Sequence, residues 1–381
     1  MKIVFVCSCI EPGKDGIGDY ARELAVALIR QGHEARLLGL AERFCSAEGE
    51  GAQESGGVAV PVLRLPEGLP WAERVARVQP WLGVFAPDWV SLQFVIYGYA
   101  RKGLPWRLAH WLGHVVGRRR VHLMLHETWI GFSSVAPYKQ RLIGLLQRRI
   151  LNGLVRWLRP AIVHTSIPLY QIMLCRAGIA ARLLPVPSSI CMVEGARAGF
   201  QAELAALGIS PVNRHSWRVL GIFGTLHPGY DYTAFLGAQI RLSVEAGQRL
   251  ALLTVGRTGG ASERILEDIG LNFPRQILIH QFGGRSTEQV SGFLQNLDFG
   301  VAAAPSPFLG KSSAVAAMRA HGLTVLVPHQ IHFPEFEAEL GKDPDREVLV
   351  RPPADFRPAA IAIALVRDLE GASAPADIGE F

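Results

Sequence analysis

Residues 298–327, DFGVAAAPSPFLGKSSAVAAMRAHGLTVLV, read as a strand, loop, helix and strand in one piece. The apolar run 299–304 suits a buried parallel strand, closed by Pro305 and Pro307. Ser312 and Ser313 can cap a helix that runs to His321 before Gly322 ends it, and 323–327 is the next strand. Between the strands, Gly310, Lys311, Ser312 and Ser313 put a flexible glycine, a cation and two hydroxyls at a helix N-terminus. Unpaired backbone N–H groups and the helix dipole favour an anion there, so a phosphate or diphosphate fits. The plainer alternative makes Gly310 a turn, Ser312 a cap and Lys311 a solvated charge. This is not a Walker loop, because that motif needs a glycine where Pro305 stands.

The same pattern recurs upstream. Expected strands at 218–223, 250–255 and 276–281 run into Gly224-Thr225-Leu226-His227-Pro228-Gly229, Gly256-Arg257-Thr258-Gly259-Gly260 and Phe282-Gly283-Gly284-Arg285. Glycines beside a hydroxyl or a cation at strand ends are expected where backbone approaches phosphate closely. The segment 183–190, LLPVPSSI, is the best domain boundary in the chain. Before it, a strand at 2–8, a glycine loop at 11–20, a helix at 20–31 and a strand at 34–40 make a βαβ unit, with the loop at the carboxyl end of its first strand, where open α/β sheets place ligands. Residues 41–57, rich in Glu, Gly, Ser and Ala, read as an exposed, mobile loop. Further strands are expected at 58–65, 89–94, 121–125 and 161–164. Two of them end in His126-Glu127 and in His164, where imidazole or carboxylate can act as general base or hydroxyl ligand, or be structural. After Val327 a loop, a helix at 359–369 and a frayed tail follow.

At 381 residues the chain has room for two domains. Hydrophobic residues make up 49%, yet no stretch of 18 or more uninterrupted apolar residues offers a membrane span. The short apolar start at 1–6 does not resemble a signal peptide, so a cytoplasmic location is expected. Five cysteines, Cys7, Cys9, Cys45, Cys175 and Cys191, without paired spacing suggest free buried thiols rather than a zinc site or disulfides. Twelve histidines include no HExxH-type pair, so no protein-built metal site is expected. Residues 1–190 hold 23 Lys and Arg against 13 Asp and Glu, so of the overall +6 the remainder carries −4. In 138–160, YKQRLIGLLQRRILNGLVRWLRP, cations without a single acid interleave with Leu, Ile, Val and Trp, as in an amphipathic helix lying on an anionic membrane surface; the alternative is a solvated face. No nucleic-acid module accompanies the charge, so nucleic acid is not expected as a partner.

Taken together, GIGDYARELAVALIRQGHEARLL at 16–38, SLQFVIYGYARKGLP at 91–105, LHETW at 125–129, LLPVPSSI at 183–190 and LQNLDFGVAAAPSPFLGKSSAVAAMRAHGLTVLV at 294–327 resemble the GT-B nucleotide-sugar glycosyltransferases, in particular the bacterial family 4 (group 1) type. The resemblance covers roughly residues 2–370 and implies an α/β protein of two Rossmann-like domains facing across a cleft. The domains would be 1–187 on the acceptor side, 188–358 for the nucleotide sugar, and a helix and tail at 359–381. It implies contacts of Gly16, Gly18, Asp19 and Tyr20 with acceptor and donor, a sugar-facing role for His126, and a diphosphate at Gly310, Lys311, Ser312 and Ser313. Gly224 and Thr225 would approach the donor too.

Two departures from the family pattern bear on mechanism. The carboxylates of a Glu-x7-Glu pair, counted back from Gly322, fall on Leu309 and Ala317; the cations usual after the first strand of the second domain are missing from 224–229, leaving Lys311 and Arg257 as substitutes. The reaction implied is sugar transfer from a nucleoside diphosphate sugar to a hydroxyl acceptor, in polysaccharide or glycolipid assembly, with no further cofactor. Leaving-group charge would be met by the helix end, Lys311 and Arg257, and His126, Glu127 or Asp19 would serve as base if the reaction inverts. Alternatives are a catalytically silent binding protein of this fold, or a sugar-nucleotide epimerase or phosphorylase.

Overall fold

Continuous apolar runs become the central strands, because a parallel strand covered on both faces has no polar side to show. A computed structural model describes residues 1–226, 230–256, 259–340, 349–350 and 356–373. The chain divides into two units, one made of Met1–Pro187, Phe333–Leu340 and Pro358–Phe381, the other of Ser188–His332 and Gly341–Arg357.

The first unit contains β1 (Lys2–Cys7), β2 (Glu34–Glu42), β3 (Gly49–Ser55), β4 (Val58–Pro66), β5 (Trp89–Phe94), β6 (Arg120–Leu125), β7 (Ile162–Thr165) and β8 (Arg182–Leu183). Among the described residues they form one sheet in the order β3-β4-β2-β1-β5-β6-β7-β8. All neighbours are parallel except β3 and β4. Alternate residues of β1 feed opposite layers: Val4 and Val6 join Leu40, Leu92 and Leu125, whereas Ile3, Phe5 and Cys7 join Leu24 and Leu28 of the first helix, Gly16–Arg30. The C-terminal helix, Pro358–Ser373, closes the second layer with Ile361, Ala362, Leu365 and Leu369.

The second unit contains β9 (Trp217–Phe223), β10 (Arg249–Val255), β11 (Ile277–Gln281), β12 (Phe299–Val301), β13 (Thr324–Leu326) and β14 (Leu349–Val350). Their order is β11-β10-β9-β12-β13-β14, parallel but for the last pair. Both units are thus Rossmann-like α/β sheets, the fold class the sequence predicts. No described helix is long and apolar enough to cross a membrane.

Several expectations need correction. The stretch 41–57 is not a loop: 41–42 end β2, and β3 pairs antiparallel with β4 from Gly49↔Arg64 to Ser55↔Val58. It is an edge strand, mostly exposed, held by backbone pairing and by polar side-chain bonds, Gln53 Nε2 to Ile10 O at 2.9 Å and Ser55 Oγ to Glu23 Oε1 at 2.7 Å, so its sequence carries no apolar alternation. The glycine loop ends earlier than expected, because Asp15 caps the first helix by accepting from Ile17 N at 2.9 Å and Gly18 N at 3.0 Å. The strand expected at 299–304 stops at Val301. Residues 333–340, assigned by sequence to the second domain, belong to the first unit: the Phe333 ring packs 5.1 Å from Phe132, and Glu339 pairs with Arg176. Helix 359–369 likewise belongs to the first unit, and 374–381 lie outside the described residues. Of the cysteines, Cys7 and Cys9 are buried but Cys175 and Cys191 are exposed.

Candidate functional site

In the first unit the candidate residues gather at the carboxyl ends of β1 and β6. His126 follows β6, donates its backbone N–H to Phe94 O at 3.2 Å and is 5% exposed. Its ring stands edge-on to Tyr20 at 4.8 Å, and its Nε2 lies 2.8 Å from Gln93 Oε1. Burial pushes the Tyr20 phenol well above its ordinary pKa, so it stays protonated. Glu127 is half-buried beside them. The structure therefore brings Tyr20 and His126 together.

The other first-unit candidates have work of their own. Asp19 accepts from Gly13 N at 3.0 Å and pairs with Arg22, both through its Oδ1. Gly18 is a packing residue: a Cβ there would lie 2.7 Å from Ile10 Cα and 2.8 Å from Cys9 O, so only glycine lets the helix seat against that backbone. Gly16 has open space around its Cα and opens the helix.

A cavity of about 420 Å³ lies beyond His126. Trp129, Phe132, Arg141, Arg148, Arg176 and Glu335 are among its lining residues, all within the first unit. The basic helix Tyr138–Leu158 supports it: Gln147, fully buried, accepts from Ile130 N at 3.0 Å and donates to Tyr97 Oη at 3.0 Å. Arg176 is tied to Glu339 and to the Glu335 carbonyl, whereas Arg141 reaches the wall from the exposed side of the helix.

In the second unit the strand-end glycines form a floor. Gly224 and Gly256, at φ +102° and +124°, sit at the ends of β9 and β10, and a Cβ on Gly256 would lie 3.1 Å from Gly224 N. Gly256 N donates to Gly283 O at 2.9 Å, so three strand ends are knitted by backbone alone. Thr225 follows Gly224, and Leu226 N donates to Ser262 Oγ at 3.2 Å. Because β12 pairs with β9, the segment carrying Gly310–Ser313 leaves the neighbouring strand end.

That segment is a 3-10 helix, Ser306–Lys311, and the helix Ser313–Ala320 follows. Ser312 is its N-cap and accepts from Val315 N at 3.3 Å, so its hydroxyl serves the helix, and Ser313 opens the first turn. The Lys311 ammonium lies 5.6 Å above the Phe308 ring. Arg257, and His227 with its neighbours Pro228 and Gly229, lie outside the described residues. Ala317, one of the two positions lacking the family's carboxylates, is fully buried in the core beneath this helix, and Leu309 packs against the same core. Two rings that sequence reading passes over stand on this side: Tyr230 packs 4.0 Å from His329, which reaches it from beyond β13. No motif marks them, since they are a hundred residues apart.

No family model matches the chain, and no curated protein does. Solved structures do. The HepE protein of Anabaena in complex with UDP and glucose is 14% identical over 98% of this chain and 91% of that one, with a TM-score of 0.54. An α,α-trehalose-phosphate synthase of Burkholderia xenovorans with glucose-6-phosphate is 14% identical over 98% and 93%, at 0.55. WaaG, a glycosyltransferase involved in lipopolysaccharide biosynthesis, is 15% identical over 88% and 84%, at 0.51. The likeness is one of fold, and it gives this chain the GT-B fold of two Rossmann-like units.

Proposed function

We propose that this GT-B chain is a glycosyltransferase that moves a sugar from a nucleoside diphosphate sugar to a hydroxyl acceptor, with no cofactor beyond that donor and no protein-built metal site. The observation that carries it is the second unit's glycine floor beside a helix N-terminus preceded by Lys311. Backbone N–H groups of that first turn, its dipole and the ammonium stabilise the charge that develops on the leaving diphosphate. The acceptor oxygen bonds to the anomeric carbon as the bond from that carbon to the diphosphate oxygen breaks. The hydroxyl proton passes either to a first-unit base, His126 or Glu127, if the reaction inverts, or to the departing diphosphate oxygen if it retains; in the latter case His126 holds the sugar.

The acceptor reading follows from the cavity and the helix beside it. Arginines with Trp129 and Phe132 suit a molecule with an anionic group and an apolar part. On the exposed side of helix Tyr138–Leu158, Leu142, Leu145 and Trp157 stand among Arg149 and Arg156, which suits an anionic membrane surface and a lipid-linked acceptor, as in polysaccharide or glycolipid assembly on the inner face of a membrane.

A thermal-shift screen of UDP, GDP, dTDP, ADP, CMP and their sugars on wild type and Lys311→Ala tests the donor site. At a ligand concentration 100 times the Kd the expected stabilisation is about 2.7 kcal/mol. A shift that Lys311→Ala abolishes, followed by nucleotide release that His126→Ala reduces, supports the reading; no shift with any nucleotide sinks it. The second reading, a silent binding protein, is favoured by Leu309 and the buried Ala317 where carboxylates are expected. It predicts nucleotide binding without turnover.

A further inference from the structure

One face of the first unit's sheet contains a row of polar side chains where apolar ones would pack. Ser91 and Gln93 on β5, His122 on β6 and His164 on β7 share the layer of Trp89, Met124 and Ile162, the layer that the C-terminal helix covers. All four are 0–1% exposed. Buried polar groups of this kind are costly unless every one is satisfied. Here each is satisfied by the next. His126 Nε2 meets Gln93 Oε1 at 2.8 Å, Gln93 Nε2 meets Ser91 Oγ at 2.7 Å, and Ser91 Oγ meets His122 Nδ1 at 2.8 Å. His122 Nε2 meets His164 Nδ1 at 3.0 Å, and His164 Nε2 meets Asp368 Oδ2 at 3.0 Å. Asp368, on the C-terminal helix, is the terminus, with Arg182 and Arg367 each 3.5 Å from its other oxygen.

The direction of this chain is fixed by its anionic end. A carboxylate only accepts, and a neutral imidazole has one N–H. Burial holds the pKa of both His122 and His164 below the ordinary histidine value, so both are neutral at neutral pH. His164 must then donate from Nε2 to Asp368, which leaves its Nδ1 to accept from His122 Nε2–H. His122 Nδ1 accepts from the Ser91 hydroxyl, Ser91 accepts from the Gln93 amide, and Gln93 Oε1 accepts from His126 Nε2–H. The opposite polarity would set an imidazole lone pair against the carboxylate. One consistent assignment remains, and it puts the proton of His126 on Nε2 and its basic lone pair on Nδ1.

We infer that Asp368 sets the tautomer of His126 through five hydrogen bonds across the sheet, and is a positioning residue for the candidate catalytic histidine. Its catalytic meaning rests on the proposed transferase reading; the tautomer itself does not. A tautomer fixed in advance spares the reaction the reorganisation of choosing which nitrogen faces substrate. The row also accounts for why polar side chains occupy a layer that strand pairing alone would leave apolar.

Long-range ¹H–¹⁵N correlation on histidine-labelled protein at neutral pH reads tautomers directly, with the His126 signal assigned by its loss in His126→Gln. Wild type should show Nε2–H for His122, His126 and His164. Asp368→Asn, whose amide can offer either an oxygen or an N–H to His164, should give His126 in both tautomers. Ser91→Ala, a smaller change, cuts the chain in the middle and should free the Gln93 amide to flip, mixing His126 while leaving His164 unchanged; it carries the test if Asp368→Asn fails to fold. A single unchanged Nε2–H at His126 in either folded variant overturns the inference. Where wild type transfers sugar, Asp368→Asn should lower kcat about tenfold, less than the roughly 10²–10⁴-fold an acid or base itself contributes because the histidine is still present and only its tautomer is mixed, with donor KM unchanged. A raised KM with kcat intact would overturn the positioning role. Wild type without turnover would sink the transferase reading and leave the tautomer result standing.

Discussion

Gly144 and Gly153 lie on the same helix, and their surroundings give opposite expectations for the same substitution. A Cβ on Gly144 would lie 1.9 Å from Ile130 O, whereas Gly153 is exposed with nothing within 4 Å. Gly153→Ala should raise stability by about 0.5–1 kcal/mol through helix propensity. Gly144→Ala should lower it despite that gain, because the loop beyond His126 must move; urea unfolding of the pair checks both signs. Ser312→Ala should cost about 1 kcal/mol as a lost N-cap. Lys311→Ala should leave stability unchanged within about 0.5 kcal/mol, so calorimetry separates a cap from a ligand contact. Ser312 as a cap was legible from its place before an apolar-periodic run, and His126 from its place after a strand. The commitment of Asp19 to Gly13 N was not, because a loop's path around a helix start has no sequence signature. Nor was the row from Ser91 to His164, since it depends on the register of three strands spread between residues 89 and 165.

Among elements, the central parallel strands were the most legible, because burial on both faces leaves an uninterrupted apolar run. β3 escaped, since an exposed edge strand held by backbone pairing and polar side-chain bonds needs no apolar residue. The interleaving of cations and apolar residues marks helix Tyr138–Leu158 as amphipathic, and its exposed side combines arginines with Leu142, Leu145 and Trp157. Arg149→Glu and Arg156→Glu are at exposed positions and should leave folding intact. If the helix lies on a membrane, each arginine contributes about 1 kcal/mol of attraction, and since each reversal removes a cation and adds an anion, the vesicle partition coefficient with phosphatidylserine should fall by at least about fivefold per substitution. Binding should also fade with salt and be absent from neutral vesicles. Equal sedimentation of both variants would return this helix to the role of a solvated wall.

For the molecule as a whole, His122, His164 and His321 are buried with pKa values pushed below the ordinary one, in each case first by desolvation. Below about pH 6.5 the unfolded chain binds protons at these sites that the folded chain refuses, so stability is full above that pH and falls as pH drops towards the folded values. The slope should reach up to about 1.4 kcal/mol per pH unit for each histidine, read from urea midpoints between pH 7 and 5. A flat profile would mean these rings take up protons without unfolding. The two-unit division was legible at LLPVPSSI, but the return of 333–340 and 358–373 to the first unit was not, because the partners they join lie more than 150 residues earlier. That return has a consequence for biosynthesis. The apolar trough that Ile361, Leu365 and Leu369 fill beside Leu24 and Leu28 is made early and filled last. At about 5–20 residues per second, residues 188–373 take on the order of ten to forty seconds to emerge from the ribosome, and throughout that time the nascent first unit presents an open greasy groove. Chains stalled before Pro358 should bind a hydrophobic dye and recruit chaperones, and released chains should do neither.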